Sequence, residues 1–79
     1  MKLPRDCSGS ELIKALCREF GYVQINQEGS HVILQTSTPR PHRLAVPNHP
    51  SLRPGTLNAI VRAVARAKDL EKTDIVAHL

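Results

Sequence analysis

The chain has 79 residues, with 11 Lys and Arg against 7 Asp and Glu, a formal charge of +4 and a pI of about 9.6. That length allows one domain and one core, burying about 60–65% of the unfolded surface, and with one Phe, one Tyr and no Trp the core must be aliphatic. Met1 to Asp6 carries no apolar signal region and no stretch approaches membrane-spanning length, so a reducing cytoplasm with free thiols at Cys7 and Cys17 is expected.

Residues 1–7 form a short lead-in. Ser8-Gly9-Ser10-Glu11 is a capping box, with Ser8 as N-cap and Glu11 three residues on. The helix it opens carries Leu12, Ile13, Leu16 and Phe20 as one apolar stripe, with Cys17 read as core. Gly21 is the expected stop. Tyr22 to Gln27 alternates strictly and predicts a half-buried strand, Val23 and Ile25 facing the core. Glu28-Gly29 makes the turn. A second strand runs from His31 to about Thr36. Its Val32-Ile33-Leu34 run is apolar throughout, so alternation alone leaves its phase open. Placing Val32 and Leu34 inward exposes His31, Ile33 and Gln35; the opposite phase would bury His31 beside no partner.

Ser37 to Pro41 is a loop, because two prolines break any ladder. His42 to Val46 is a third strand with Leu44 and Val46 inward. Arg43 then shares the exposed face with His31. Pro47 to Pro54 is a rigid connection. Gly55-Thr56 opens the second long helix, with Thr56 as the expected N-cap and Leu57, Ile60, Val61 and Val64 as its buried stripe. Arg62 and Arg66 fall on its outer side. The tail from Glu71 to Leu79 can form a last short helix that packs Ile75 and Leu79. Helix, three antiparallel strands and helix, with both helices on one face, give a two-layer α+β domain.

Charge is unevenly spread. Between Gly29 and Ala67 there is no Asp or Glu, and the cations are Arg40, Arg43, Arg53, Arg62 and Arg66. An all-arginine, acid-free block suits phosphate contact, since the guanidinium fork matches phosphate oxygens. An ordinary solvated surface is the other reading.

Metal ligation lacks spacing. Cys7 and Cys17 stand ten apart, and no CxxC or HxxxH pair exists. Phosphate-binding glycine loops and nucleophile elbows are also missing. Paired-carboxylate chemistry is disfavoured because the acids lie away from the centre. What remains is Gly29-Ser30-His31, a tight turn leading into an apolar strand. It holds a group that exchanges protons near neutral pH on a rigid element. Spacing alone leaves two readings, a proton-transfer group or a surface histidine at a hairpin end. RNA brings its own nucleophile, the 2′-OH, so one histidine and a basic surface could serve as a slow nuclease.

Three stretches resemble one family in order. They are Gly29-Ser30-His31 with Val32-Ile33-Leu34, then His42 to His49, then Pro54 to Ile60. Ser10 to Leu16 is similar too. Together they resemble the HicA (YcfA-like) toxins, mRNA interferases of toxin–antitoxin systems. The resemblance implies a double-stranded-RNA-binding-domain-like fold, α-β-β-β-α, and ribonuclease toxicity carried by His31. It also implies neutralisation by a HicB-type antitoxin. The expected site is therefore His31 as catalytic group, Gly29, Ser30, Arg40, Arg43 and Arg53 on the RNA, and neither metal nor cofactor. Exposed Ile33 and Tyr22 are expected to supply apolar contact to a partner. A non-catalytic RNA-binding module and a small protein-interaction domain stay open as alternatives.

Overall fold

The computed structural model describes residues 6–79. The expected lead-in falls mostly outside them. The order is α1 (Gly9–Glu19), β1 (Val23–Glu28), β2 (His31–Thr36), β3 (His42–Pro47), α2 (Pro54–Lys68) and α3 (Lys72–Val76). This is the expected α-β-β-β-α order with a short added helix. The strands form one antiparallel sheet in the order β1-β2-β3. Among the described residues no helix is long and apolar enough to cross a membrane.

Helix α1 starts as its sequence dictates. Ser8 Oγ accepts from the Glu11 amide at 3.0 Å, and Glu11 accepts from the Ser8 amide at 3.1 Å. Both satisfy amides that a helix start leaves without partners. After the helix Gly21 takes a φ of 72°, and the Tyr22 amide returns to the Leu16 carbonyl at 3.2 Å.

The helices cover β2 and β3. Leu12 and Leu16 of α1, Val32 and Leu34 of β2, Val46 of β3, and Leu57, Val61 and Val64 of α2 are all buried. Each fully buried Leu or Val contributes roughly 1.5–3 kcal/mol. Ile75 of α3 and Cys7 belong to the same core. Cys17 is half-buried against its edge rather than inside it.

Three expectations are corrected. First, Val23 and Ile25 do not face the core: they are 62% and 46% exposed. Strand β1 is an edge strand lying beyond the helices, and all six of its residues are exposed. Its register slips between Gln24 and Asn26, leaving Ile25 as an extra residue against β2, the signature of a bulge. Because Val23 pairs with Gln35, it lies on the sheet's outer face. Second, Tyr22 is not an exposed contact but a core residue, 2% exposed. Third, α2 begins at Pro54, with Arg53 as N-cap and no side-chain cap bond, so Thr56 lies inside the helix. Proline at the first helical position has its φ already set and lacks only an amide that would go unpaired.

The inward phase of β2 is as expected. Val32, Leu34 and Thr36 are buried; His31 is exposed, and Ile33 and Gln35 are half-buried rather than fully open. The end of the sheet holding His31 is fixed by α1. The Gly9 amide donates to the His49 carbonyl at 2.9 Å. A Cβ at Gly9 would overlap the Pro47 carbonyl oxygen and stand 2.8 Å from the Asn48 Cα. Gly9→Ala should therefore destabilise the fold by about 1–3 kcal/mol, the usual cost of overpacking. Gly55 has open space at its Cβ position, and Gly55→Ala should be neutral or stabilise by up to about 1 kcal/mol. Urea midpoints at unchanged m-value report both; equal midpoints for the two variants would contradict this packing.

Candidate functional site

The hairpin between β1 and β2 has a two-residue loop, Gly29-Ser30, closed by the pair Glu28 and His31. Gly29 takes a φ of 61° with nothing within 4 Å of its Cβ position. Glycine is thus required by backbone conformation, not by space. A left-handed first residue suits a tight hairpin because its twist matches the strands. The Gly29 carbonyl accepts from Gln27 Nε2 at 3.2 Å, and the Ser30 carbonyl accepts from the Asn48 amide at 2.7 Å. The loop is pinned through its carbonyls.

His31 opens the central strand on the outer face, with Pro47 opposite on β3 and Glu28 opposite on β1. Its ring makes no side-chain hydrogen bond or ion pair among the described residues. Glu28, expected in the turn, is instead the last residue of β1, and the loop is Gly29-Ser30. Glu28 precedes the acid-free block and looks remote from chemistry, yet the two-residue loop sets it directly across from His31 on one face. Cross-strand partners stand about 4.5–5.5 Å apart at Cβ. The signal was the loop length itself, which fixes register.

The expected RNA-contacting residues do not all gather here. Gly29 and Ser30 adjoin His31. Arg43 pairs with Gln35 across β2 and β3 and holds its Oε1 at 2.8 and 3.0 Å. It shares the outer face with His31 but lies about 13 Å along the sheet, four residues at strand rise. Arg53 lies exposed at the start of α2. Arg40 is at the opposite end. Its guanidinium donates to the Arg66 and Ala67 carbonyls at 3.2 and 3.1 Å and pairs with Asp69 at 2.9 Å. It closes the C-terminus of α2, where cations are favoured.

That far end carries a second polar cluster. The Tyr22 hydroxyl bonds His42 Nδ1 at 2.7 Å. Lys68 Nζ donates to Thr36 Oγ1 at 2.7 Å and to the Thr38 carbonyl, and stands 5.1 Å from the centre of the Tyr22 ring. Burial pushes the Tyr22 phenol up to about 12. Burial, then the Lys68 charge, pushes the His42 imidazole down. With the Tyr22–His42 hydrogen bond made, this cluster is internally satisfied and reads as structural.

The model of one protein family, described as HicA toxin of bacterial toxin-antitoxin, matches residues 9–71. The chain belongs to the HicA toxin family. No curated protein and no solved structure matches it significantly. The match spans every element except α3 and its tail, so the HicA domain here includes both the Gly29-Ser30-His31 hairpin and the Tyr22–His42 cluster.

The cluster gives this HicA domain a pH signature. Because folding lowers the His42 pKa, the unfolded chain binds the extra proton first, near its ordinary value of 6.5. The contribution is present above that pH and is lost as pH falls through the folded value. Urea unfolding of the native chain should weaken more between neutral and mildly acidic pH than that of His42→Asn, whose carboxamide does not titrate. Parallel curves for the two proteins would remove His42 from the acid response.

Proposed function

We propose that this HicA-family chain is a toxin ribonuclease, an mRNA interferase that cleaves RNA by metal-independent acid–base catalysis at His31. The reading is carried by one observation: an exposed imidazole at the first position of the central strand, held by no other side chain and beside a left-handed glycine loop. Such a group is fixed in direction by the strand yet free to meet a substrate.

In this mechanism His31 takes the proton from an RNA 2′-OH. The resulting oxygen attacks the adjacent phosphorus, and the bond to the 5′-oxygen breaks. That oxygen takes a proton from solvent water as it leaves, and His31 returns its proton to solvent, giving a 2′,3′-cyclic phosphate and a 5′-OH end. Acid–base assistance of this kind contributes about 10²–10⁴-fold. The Gly29 and Ser30 amides, in the loop rather than the ladder, supply hydrogen bonds to a phosphate oxygen. Arg43 and Arg53 neutralise flanking phosphates. Arg40, committed to the end of α2, shapes the surface more than it binds. No cofactor enters. Among the described residues no three His, Cys, Asp or Glu side chains come together.

A toxin of this kind needs restraint by a partner. A HicB-type antitoxin could cover the outer sheet face, where Val23 is exposed, Ile33 half-buried and His31 open. Masking would block RNA by occupation, without unfolding the toxin. The expected surroundings are cytoplasmic, where mRNA is the target.

His31→Ala should abolish cleavage of RNA and growth inhibition, with an unchanged circular dichroism spectrum, because an exposed side chain leaves no core cavity. Wild-type protein in excess EDTA should cleave at its full rate. A His31→Ala protein that cleaves near the wild-type rate, or cleavage that stops with chelation and returns with magnesium or zinc, would overturn the reading. RNA binding without any cleavage by the wild type would instead favour a non-catalytic RNA-binding module.

A further inference from the structure

Three shallow depressions join into one path around the β3 edge. The first, about 300 Å³, is lined by Gln35, Pro41, His42 and Arg43 and opens on the outer sheet face. The second, also about 300 Å³, shares Pro41 and His42 with it and continues to Ala63 and Arg66 of α2. The third, about 200 Å³, shares Ala63 and Arg66 and ends at Ala59 and Arg62. The path therefore starts on the face that carries His31, turns the edge of the sheet, and runs along the outside of α2.

Its chemistry is uniform. Arg43, Arg62 and Arg66 are exposed, and no ion pair engages their guanidinium groups among the described residues. Asp69, just past the end of α2, is taken by Arg40. Arg62 and Arg66 stand one helical turn apart, so their Cβ atoms are about 5–6 Å from each other on one side. The floor is Ala59, Ala63 and Pro41, small residues that let a chain approach the backbone closely.

We propose that this path binds the sugar–phosphate backbone of single-stranded RNA leading to or from His31. The proposal rests on the ribonuclease reading and assigns it a second contact surface, made by Arg62 and Arg66. Charge favours a polyanion, since Arg43, Arg62 and Arg66 line the path outside any ion pair, Arg43 holding only the neutral Gln35, and none of its lining residues is a carboxylate. A protein partner draws its affinity from large side chains seated in deep apolar pockets, and an alanine floor offers none. A second copy of this chain would bring its own +4 charge against the same arginines. A single strand can follow a path that turns the sheet edge; a duplex, stiff over about 150 base pairs, cannot.

The test uses the full chain carrying His31→Ala, so that RNA binds without being cut. The probe is a fluorescein-labelled single-stranded oligouridylate of about 12 nucleotides, within the range such surfaces hold. Anisotropy is read between about 50 and 200 mM salt. Adding Arg62→Gln and Arg66→Gln should weaken binding roughly tenfold and flatten the log–log salt slope by about 1.4, two phosphates at about 0.7 each. Lys14→Gln with Arg18→Gln, an equal charge change on α1, should leave both unchanged. Ala63→Leu should weaken binding with the slope intact, because it fills the floor without altering charge. Equal losses for the α1 pair and the α2 pair would reduce the effect to net charge and overturn the path. So would full affinity in the Arg62/Arg66 variant, and in that case loss of antitoxin binding by the same variant would assign the groove to protein. The absence of any RNA binding by the His31→Ala chain would overturn the path and the ribonuclease reading together, whereas normal binding that ignores Arg62 and Arg66 would overturn the path alone.

Discussion

The central strand is the constraint on which the rest of this protein depends. Successive side chains of a strand point to opposite faces, so β2 cannot bury Val32 and Leu34 without turning His31, Ile33 and Gln35 outward. Both helices pack on the first set. The aliphatic core thereby decides where the His31 side chain at the hairpin points. Slipping the register by one residue would move His31 into the core and empty the core of its leucine. The two-residue loop prevents this on one side, and pairing of His31 with Pro47 prevents it on the other. The same pairing carries the chain into Asn48 and His49, against which the start of α1 is docked. The hairpin is therefore held by packing and by hydrogen bonds to its backbone, not through the His31 ring. That leaves the imidazole available to a substrate.

The opposite end of the sheet shows how polar groups behave when they are structural. Arg40 and Lys68 gather at the end of α2. One satisfies helix carbonyls, and the other satisfies Thr36 and the Thr38 carbonyl. Tyr22 and His42 complete each other. No unpartnered buried side-chain polar atom is left among the described residues, which is how a small domain avoids the desolvation cost of a buried polar group. Two histidines on one sheet thus differ in kind. His42 is spoken for, and His31 is not.

Much of this was legible in the sequence because single physical signals decided it. The Ser8–Glu11 capping box, the inward Val32 and Leu34, the stripe on α2 and the short tail helix around Ile75 each follow from spacing. β1 misled because alternation shows that a strand has two faces without showing which is covered. Val23 and Ile25 look like a core face, yet the helices stop short of β1 and a bulge shifts its register. Tyr22 misled for the converse reason, since the turn at Gly21 swings it inward ahead of the strand. Thr56 is a good capping residue, but Pro54 takes the helix start first. Long-range geometry was the least legible. Nothing in the spacing of Arg40 and Arg43 says that one closes a helix and the other lies open on the sheet. That Arg43 borders one depression and Arg62 and Arg66 border those adjoining it depends on how α2 lies beside β3.

In the proposed reaction the protein supplies a proton-transfer group and a charged surface, while the RNA supplies the nucleophile. Cleavage of an oligoribonucleotide is best compared with that of the same strand carrying a single 2′-deoxy substitution at the scissile nucleotide. The substitution removes the attacking oxygen and leaves the phosphates that bind the arginines. The account predicts unchanged binding, no cutting at the substituted position, and a 2′,3′-cyclic phosphate on the product of the unsubstituted strand, read by mass spectrometry. Cutting of the substituted strand at an undiminished rate would contradict it.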